Sequence, residues 1–125
     1  MRVYVDVNVV YYILTANEEF GIRAKELIEE YYGRMITSAL TVWQLHILLR
    51  RKGKGNKKPE LTGILPELGI KIVPLTPEIL SEAEKCKRLD FDDAIHYATM
   101  KAHRIDTILS NDRDFDKISE IKRTF

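Results

Sequence analysis

The 125-residue sequence contains little cysteine, glycine or proline. It has one cysteine, Cys86, which excludes an intramolecular disulfide and a thiolate zinc site and fits a reducing compartment. Only 6 glycines and 4 prolines accompany 45% hydrophobic and 31% charged residues, a balance that excludes fibrous and disordered classes. No apolar run approaches the roughly 18 residues of a membrane span. We therefore expect a single soluble domain over residues 1–125, located in the cytoplasm.

The sequence also lacks an excess of charge of either sign. The 20 Lys and Arg against 19 Asp and Glu give a net charge of +1. Residues 50–60 nevertheless hold six bases and one acid, and the bases are Arg50, Arg51, Lys52, Lys54, Lys57 and Lys58. Residues 90–116 hold seven aspartates against three bases. A basic loop of this kind either tracks a nucleic-acid backbone or is simply solvated.

Short apolar runs alternate with helical patterns along the chain. The runs at 2–5, 35–37, 70–73 and 107–109 predict strands, and the helical patterns include 22–32, the stretch after Ser38, 61–68, the stretch after Thr76, and 92–103. This alternation predicts an α/β fold, a three-layer α/β/α sandwich with a central, mostly parallel sheet of four to five strands. In the helix after Ser38, the row formed by Leu40, Gln44, Ile47 and Leu48 is expected to face inward.

Polar residues follow three of the predicted strands. Asp6 follows the first, Ser38 the second, and Ser110 with Asp112 the fourth. Parallel sheets place functional groups beyond the carboxyl ends of their strands, so these side chains are expected on one rim. Asp6 is there either a metal-binding carboxylate or, like Asn8, a cap for the helix that follows.

The acids of the segment 90–116 divide by position. Asp90 suits a helix N-cap, and Asp92 lies in a polar row that we expect to be solvated, the row of His96, Thr99 and His103. Asp93 lies beside the apolar face, so we expect it to be partly buried and to need a compensating cation or donor. After the fourth strand Asp112 lies nearest the rim, whereas Asp114 and Asp116 are expected to cap the next turn. The three histidines, His46 included, are expected at the surface or its boundary.

The sequence has no phosphate-binding glycine loop, no dinucleotide fingerprint and no serine-hydrolase elbow. A cluster of carboxylates remains, and several acids on one rim require raised pKa values or a hard cation. Oxygen ligands favour Mg²⁺ or Mn²⁺, which indicates phosphoryl transfer.

Four segments resemble PIN domains, the nuclease fold of VapC-type toxins and RNA-processing ribonucleases. They are YVDVNVVYYIL at 4–14, ITSALTVWQLHILLR at 36–50, LDFDDAIHYAT at 89–99 and ILSNDRDFDKI at 108–118. The resemblance implies that Asp6, Asp93 and Asp112 bind the metal and that Asn8, Ser38 and Ser110 support them. At a catalytic position where the family has a glutamate, in a pattern like S-x-x-T-x-x-E, this chain has Ser38, Thr41 and then Gln44, whose amide can still offer a carbonyl oxygen or orient a water.

The resemblance implies a Mg²⁺- or Mn²⁺-dependent endoribonuclease that leaves 5′-phosphate and 3′-hydroxyl ends. It also implies a homodimer, a small antitoxin partner and an RNA substrate. Because Gln44 carries no charge, the alternative is a catalytically weakened PIN-like module that binds RNA or protein. A third hypothesis is a phosphatase that depends on Asp6. It is disfavoured because Asn8 stands where such a phosphatase has a second acid.

Overall fold

The computed structural model describes residues 1–51 and 58–125, in which five parallel strands form a sheet between two helical layers. The strands are β1 (Val3–Val5), β2 (Met35–Ser38), β3 (Ile70–Val73), β4 (Thr107–Leu109) and β5 (Lys122–Thr124). The α-helices are α1 (Val7–Leu14), α2 (Gly21–Glu30), α3 (Ala39–Arg51), α4 (Leu61–Glu67), α5 (Pro77–Lys85) and α6 (Phe91–Ala102). A short 3₁₀ helix spans Arg113–Lys117. The predicted α/β/α sandwich with a parallel sheet is confirmed.

The central strand β1 has a neighbour on each side, and the strand order is β3-β2-β1-β4-β5. Val3 lies opposite Met35 of β2, and Tyr4 lies opposite Ile108 of β4. The chain first builds outward from β1 to β3 and then returns to the other side of β1. The strand order therefore reverses between β1 and β4, the place where open parallel sheets form a crevice.

Alternate side chains of β1 enter two different layers of the core. Val3 and Val5 pack with α1, α2, α3 and α4, whereas Tyr4 packs with α6 on the opposite face. Helix α5 packs outside this second face, against α6, through Ile79 and Ala83. Because β1 is buried between two helical layers, its side chains must be apolar on both faces of the sheet.

Helix α3 packs into the core along a different row from the predicted one. Its fully buried residues are Thr41 and Leu45, and the predicted row of Leu40, Gln44, Ile47 and Leu48 is only half-buried. The prediction was wrong because it followed the hydrophobic side chains, and Thr41 is polar. The Thr41 hydroxyl instead lies 2.7 Å from the Thr37 hydroxyl, so it is buried with a hydrogen bond.

Helix α5 begins as its sequence predicts. The Thr76 hydroxyl accepts a hydrogen bond from the backbone N–H of Ile79 at 3.2 Å, and Pro77 occupies the first turn. None of the helices in residues 1–51 and 58–125 has both the length and the apolar character to cross a membrane.

Candidate active site

Asp6 directly follows β1 and is buried, with 2% of its surface exposed. Its Oδ1 accepts a hydrogen bond from the backbone N–H of Val7 at 2.8 Å, so it is the N-cap of α1. Its Oδ2 accepts from the Ser110 hydroxyl at 2.7 Å and from the Asn8 amide at 2.9 Å. Three donors compensate the burial of this carboxylate. Asp6 therefore caps a helix and lies on the rim of the sheet as well.

Ser110 and Asn8 join the ends of β1 and β4. The Ser110 oxygen accepts a hydrogen bond from the backbone N–H of Asp112 at 3.0 Å while its hydroxyl hydrogen goes to Asp6. Asn8 Oδ1 accepts from the backbone N–H of Asn111 at 3.1 Å. The two predicted supporting residues thus fix the start of the loop that carries Asp112.

Three carboxylates converge beside this junction. Asp93, Asp112 and Asp114 each offer an oxygen, and these oxygens lie within 4.8 Å of one another. Asp93 is half-buried in the first turn of α6, as predicted. Asp112 accepts a hydrogen bond from the backbone N–H of Asp114 at 2.9 Å, so the 3₁₀ turn brings both side chains to one place. Lys117 Nζ lies 3.6 Å from Asp114 at the exposed edge.

The electrostatics of Asp93 reflect this crowding. Burial raises the pKa of Asp93 from 3.8 to about 8, with further contributions from the charges of Asp112, Asp6, Asp92 and Asp114. Asp6 is not one of the three mutually close carboxylates, but its charge acts on Asp93 from beside them. An all-oxygen donor set in which Asp93 resists ionisation without a counter-charge fits a hard divalent cation such as Mg²⁺ or Mn²⁺.

Arg123 of β5 holds the acidic loop in place. Its guanidinium binds both carboxylate oxygens of Asp116, at 2.9 and 3.2 Å, and donates to the carbonyl oxygen of Ser110 at 3.1 Å. Arg123 lowers the pKa of Asp116, which is therefore a structural anchor. This contact spans the loop that presents Asp112 and Asp114.

His96 is fully buried, and the prediction that it lies at the surface was wrong, as it was for Thr99. Helix α6 is buried on nearly every side from Ala94 to Met100 because the sheet and α5 both cover it. The Thr99 hydroxyl is satisfied by the carbonyl oxygen of Ile95 at 2.7 Å. His96 Nε2 lies 3.8 Å from Asp6 Oδ1, and burial lowers the pKa of His96. His46 and His103 are half-buried at the boundary, as predicted.

Gln44 links α3 to α6 at the edge of the cleft. Its Oε1 lies 2.9 Å from His96 Nε2, and its Nε2 lies 3.4 Å from Asp92 Oδ2. Ser38 plays a different part: its hydroxyl accepts from the backbone N–H of Leu40 at 3.0 Å and so caps α3. Of the predicted trio Ser38, Thr41 and Gln44, only Gln44 reaches Asp92 and His96.

The predicted basic segment is described only in part. Arg50, Arg51 and Lys58 are exposed, and Arg50 and Arg51 form the last turn of α3. The predicted residues Lys52, Lys54 and Lys57 lie outside the described residues.

The fold and the site together define a parallel α/β domain with a carboxylate cluster where its strand order reverses. A family model described as PIN domain matches residues 3–121, and the chain belongs to this family. A search of curated proteins gave no match to this sequence.

Solved structures of similar fold include VapC20 of Mycobacterium tuberculosis, described as a sarcin-ricin loop cleaving toxin. The TM-score is 0.76 at 18% identity, over 96% of this chain and 98% of that one. A toxin–antitoxin complex from Klebsiella pneumoniae gives 0.72 at 17% identity, over 97% and 95% of the two chains. VapBC2 from Rickettsia felis, bound to a DNA fragment from its promoter, gives 0.66 at 12% identity, over 99% and 98%. At these identities the likeness is one of fold.

Proposed function

We propose that this protein is a metal-dependent endoribonuclease and the toxin of a toxin–antitoxin pair. The observation that carries the proposal is the convergence of Asp93, Asp112 and Asp114 beside Asp6, at the switch point of the sheet. Membership of the PIN-domain family supports a nuclease, and the neighbour that cleaves the sarcin-ricin loop supports RNA as the substrate.

Asp93, Asp112 and Asp114 would hold Mg²⁺ or Mn²⁺, and Asp6 adds negative charge beside them. When bound, such an ion lowers the pKa of a water and offsets charge on phosphate oxygens. The Asp6 carboxylate accepts three hydrogen bonds, and those from Ser110 and Asn8 keep it oriented. Arg123 holds the loop that carries Asp112 and Asp114.

An anionic RNA approaching this acidic cleft needs positive charge nearby. Arg50 and Arg51 are exposed and lie six to seven residues beyond Gln44, about 10 Å along the same helix. Together with Lys58 they would contact the RNA backbone, a sequence-independent and salt-sensitive interaction.

The alternative function is a module that binds RNA without cutting it. It is favoured by Gln44, whose amide brings no negative charge to the cleft. Both functions predict RNA binding, and only the first predicts cleavage.

The test is cleavage of a single-stranded RNA by purified protein with Mn²⁺, compared with EDTA. We expect cleavage that Asp93→Asn and Asp112→Asn reduce by about a hundredfold or more, because each removes a charged oxygen ligand. Asp90→Asn, an exposed aspartate at the start of α6, is the matched control and should retain activity. RNA that is bound but uncut, with Asp93→Asn unchanged, would support the binding module instead.

The partners proposed here are a small antitoxin and a second copy of the chain. The toxin–antitoxin complexes among the similar folds support the first. Expression of the protein should arrest growth, and co-expression of a small protein encoded beside it should relieve the arrest. Light scattering on the purified chain should give the mass of a dimer, and a monomer would contradict that part of the proposal.

A further inference from the structure

A chain of hydrogen bonds runs from the backbone at the end of β2 to the edge of the acidic cleft. The backbone N–H of Ser38 lies 3.1 Å from the Tyr4 hydroxyl, which lies 2.5 Å from His96 Nδ1. His96 Nε2 lies 2.9 Å from Gln44 Oε1, and Gln44 Nε2 lies 3.4 Å from Asp92 Oδ2. Tyr4 and His96 are fully buried, whereas Asp92 is exposed.

The Asp92 end of this chain determines the direction of the bonds in it. The Ser38 N–H can only donate, so the Tyr4 oxygen accepts there, and its own hydrogen is available for His96 Nδ1. A neutral ring whose Nδ1 accepts carries its hydrogen on Nε2, which then donates to Gln44 Oε1. At the other end the Asp92 carboxylate can only accept, so Gln44 must turn its nitrogen toward it. The Asp92 end requires this histidine tautomer and this amide orientation, and the Ser38 end is compatible with both.

This orientation decides what Gln44 offers to the cleft. Its carbonyl oxygen, the only atom that could bind a cation, is turned to His96. Its amide nitrogen has two hydrogens, and Asp92 accepts one of them at a long 3.4 Å. A hydrogen-bond donor at the edge of an acidic cleft suits an anionic oxygen and repels a cation.

We propose that Gln44 donates a hydrogen bond to a phosphate oxygen of the RNA substrate and does not bind the metal, with Tyr4 and His96 as positioning residues that fix its amide. The proposal rests on the ribonuclease function above. It gives Gln44 a different role from the glutamate that the family resemblance implies at this position, because a carboxylate there has no donor.

The tautomer of His96 is the first test and needs neither metal nor RNA. Nitrogen-15 NMR of the histidine side chains at neutral pH should show the hydrogen of His96 on Nε2. In Tyr4→Phe the bond to Nδ1 is lost, and we expect a measurable population of the other tautomer. A hydrogen on Nδ1 in the wild-type protein would overturn the proposal whether or not Tyr4→Phe folds.

Two near-isosteric substitutions of Gln44 provide the second test. Gln44→Met removes both polar atoms, and Gln44→Glu keeps the oxygen that faces His96 but removes the donor. We expect kcat/KM for RNA cleavage at saturating Mn²⁺ to fall about tenfold in both variants, the effect of one hydrogen bond to a charged oxygen. Calorimetric Mn²⁺ affinity without RNA should be unchanged in Gln44→Met. Weaker Mn²⁺ binding by Gln44→Met, or faster cleavage by Gln44→Glu, would mean that position 44 binds the metal.

These outcomes separate this inference from the proposed function. If the wild-type protein does not cleave RNA with Mn²⁺, the ribonuclease function fails and the phosphate contact fails with it. If the wild-type protein cleaves RNA and Gln44→Met cleaves equally well, only the role of Gln44 is refuted.

Discussion

Asp93→Asn should stabilise the metal-free protein at high pH and leave its stability unchanged at low pH. The folded protein keeps the Asp93 carboxyl protonated up to about pH 8, whereas in the unfolded chain it ionises near 3.8. Between these values the folded state binds more protons than the unfolded state. The free energy of unfolding therefore falls as pH rises through this window, and asparagine removes the fall.

The magnitude follows from the pKa and the exposure of Asp93. A rise from 3.8 to about 8 corresponds to roughly 5–6 kcal/mol at 1.36 kcal/mol per pH unit. Asp93 is only half-buried, so solvent screening should reduce this to about 2 kcal/mol. For a domain of this size that corresponds to a rise in Tm of roughly 8 °C at pH 9.

The assay is urea unfolding of wild-type protein, Asp93→Asn and Asp90→Asn in EDTA at pH 5 and pH 9. Asp90→Asn removes the same charge from an exposed position one turn away and should change stability little at either pH. Adding Mn²⁺ at pH 9 should stabilise the wild type and have much less effect on Asp93→Asn. An equal change at both pH values, or an equal effect of Asp90→Asn, would refute the reasoning.

Three further predictions concern the scaffold and the basic helix end. Gly69→Ala should destabilise the folded protein by about 2 kcal/mol, because Gly69 has φ +82° and a Cβ there would lie 2.7 Å from the Tyr32 ring. Gly63→Ala, in open space within α4, is the control and should stabilise it by about 0.5–1 kcal/mol. Urea unfolding of the two variants measures both changes. Arg123→Gln should weaken calorimetric Mn²⁺ affinity severalfold, because the loop carrying the acids loses its anchor, and unchanged affinity would contradict that. Arg50→Ala should reduce the salt dependence of RNA binding by about one charge, and an unchanged slope would mean that this arginine is only solvated.

The fold could be predicted from the sequence because four of its strands are short β-branched and apolar runs, three of which end at polar residues. Ile70–Val73 and Thr107–Leu109 were predicted with their observed bounds. The strand β5 is not among the apolar runs that predicted strands, because Lys122–Thr124 is polar and lies at the edge of the sheet. The prediction of the inner row of α3 was wrong because hydrophobicity alone does not show that the Thr41 hydroxyl forms a hydrogen bond with Thr37.

The residues of the candidate site could be predicted only where a residue follows a strand or flanks an apolar helical face. Asp6 and Asp112 follow strands, and Asp93 flanks the apolar face of α6. Asp114 was missed because a 3₁₀ turn, not a periodic pattern, brings it next to Asp112; the alternation of acids after β4 was the available signal. His96 was missed because a polar row usually faces solvent, and no pattern along α6 shows that Tyr4 and Gln44 provide partners for its ring.

The measurement that tests the central claim most directly is an anomalous difference map from a crystal grown with Mn²⁺. If the acidic cluster exists to hold a divalent cation, the map will show a peak bonded to oxygens of Asp93, Asp112 and Asp114, with Gln44 Oε1 still on His96. A map with no peak at these carboxylates, at a Mn²⁺ concentration that saturates any cleavage, would contradict the claim.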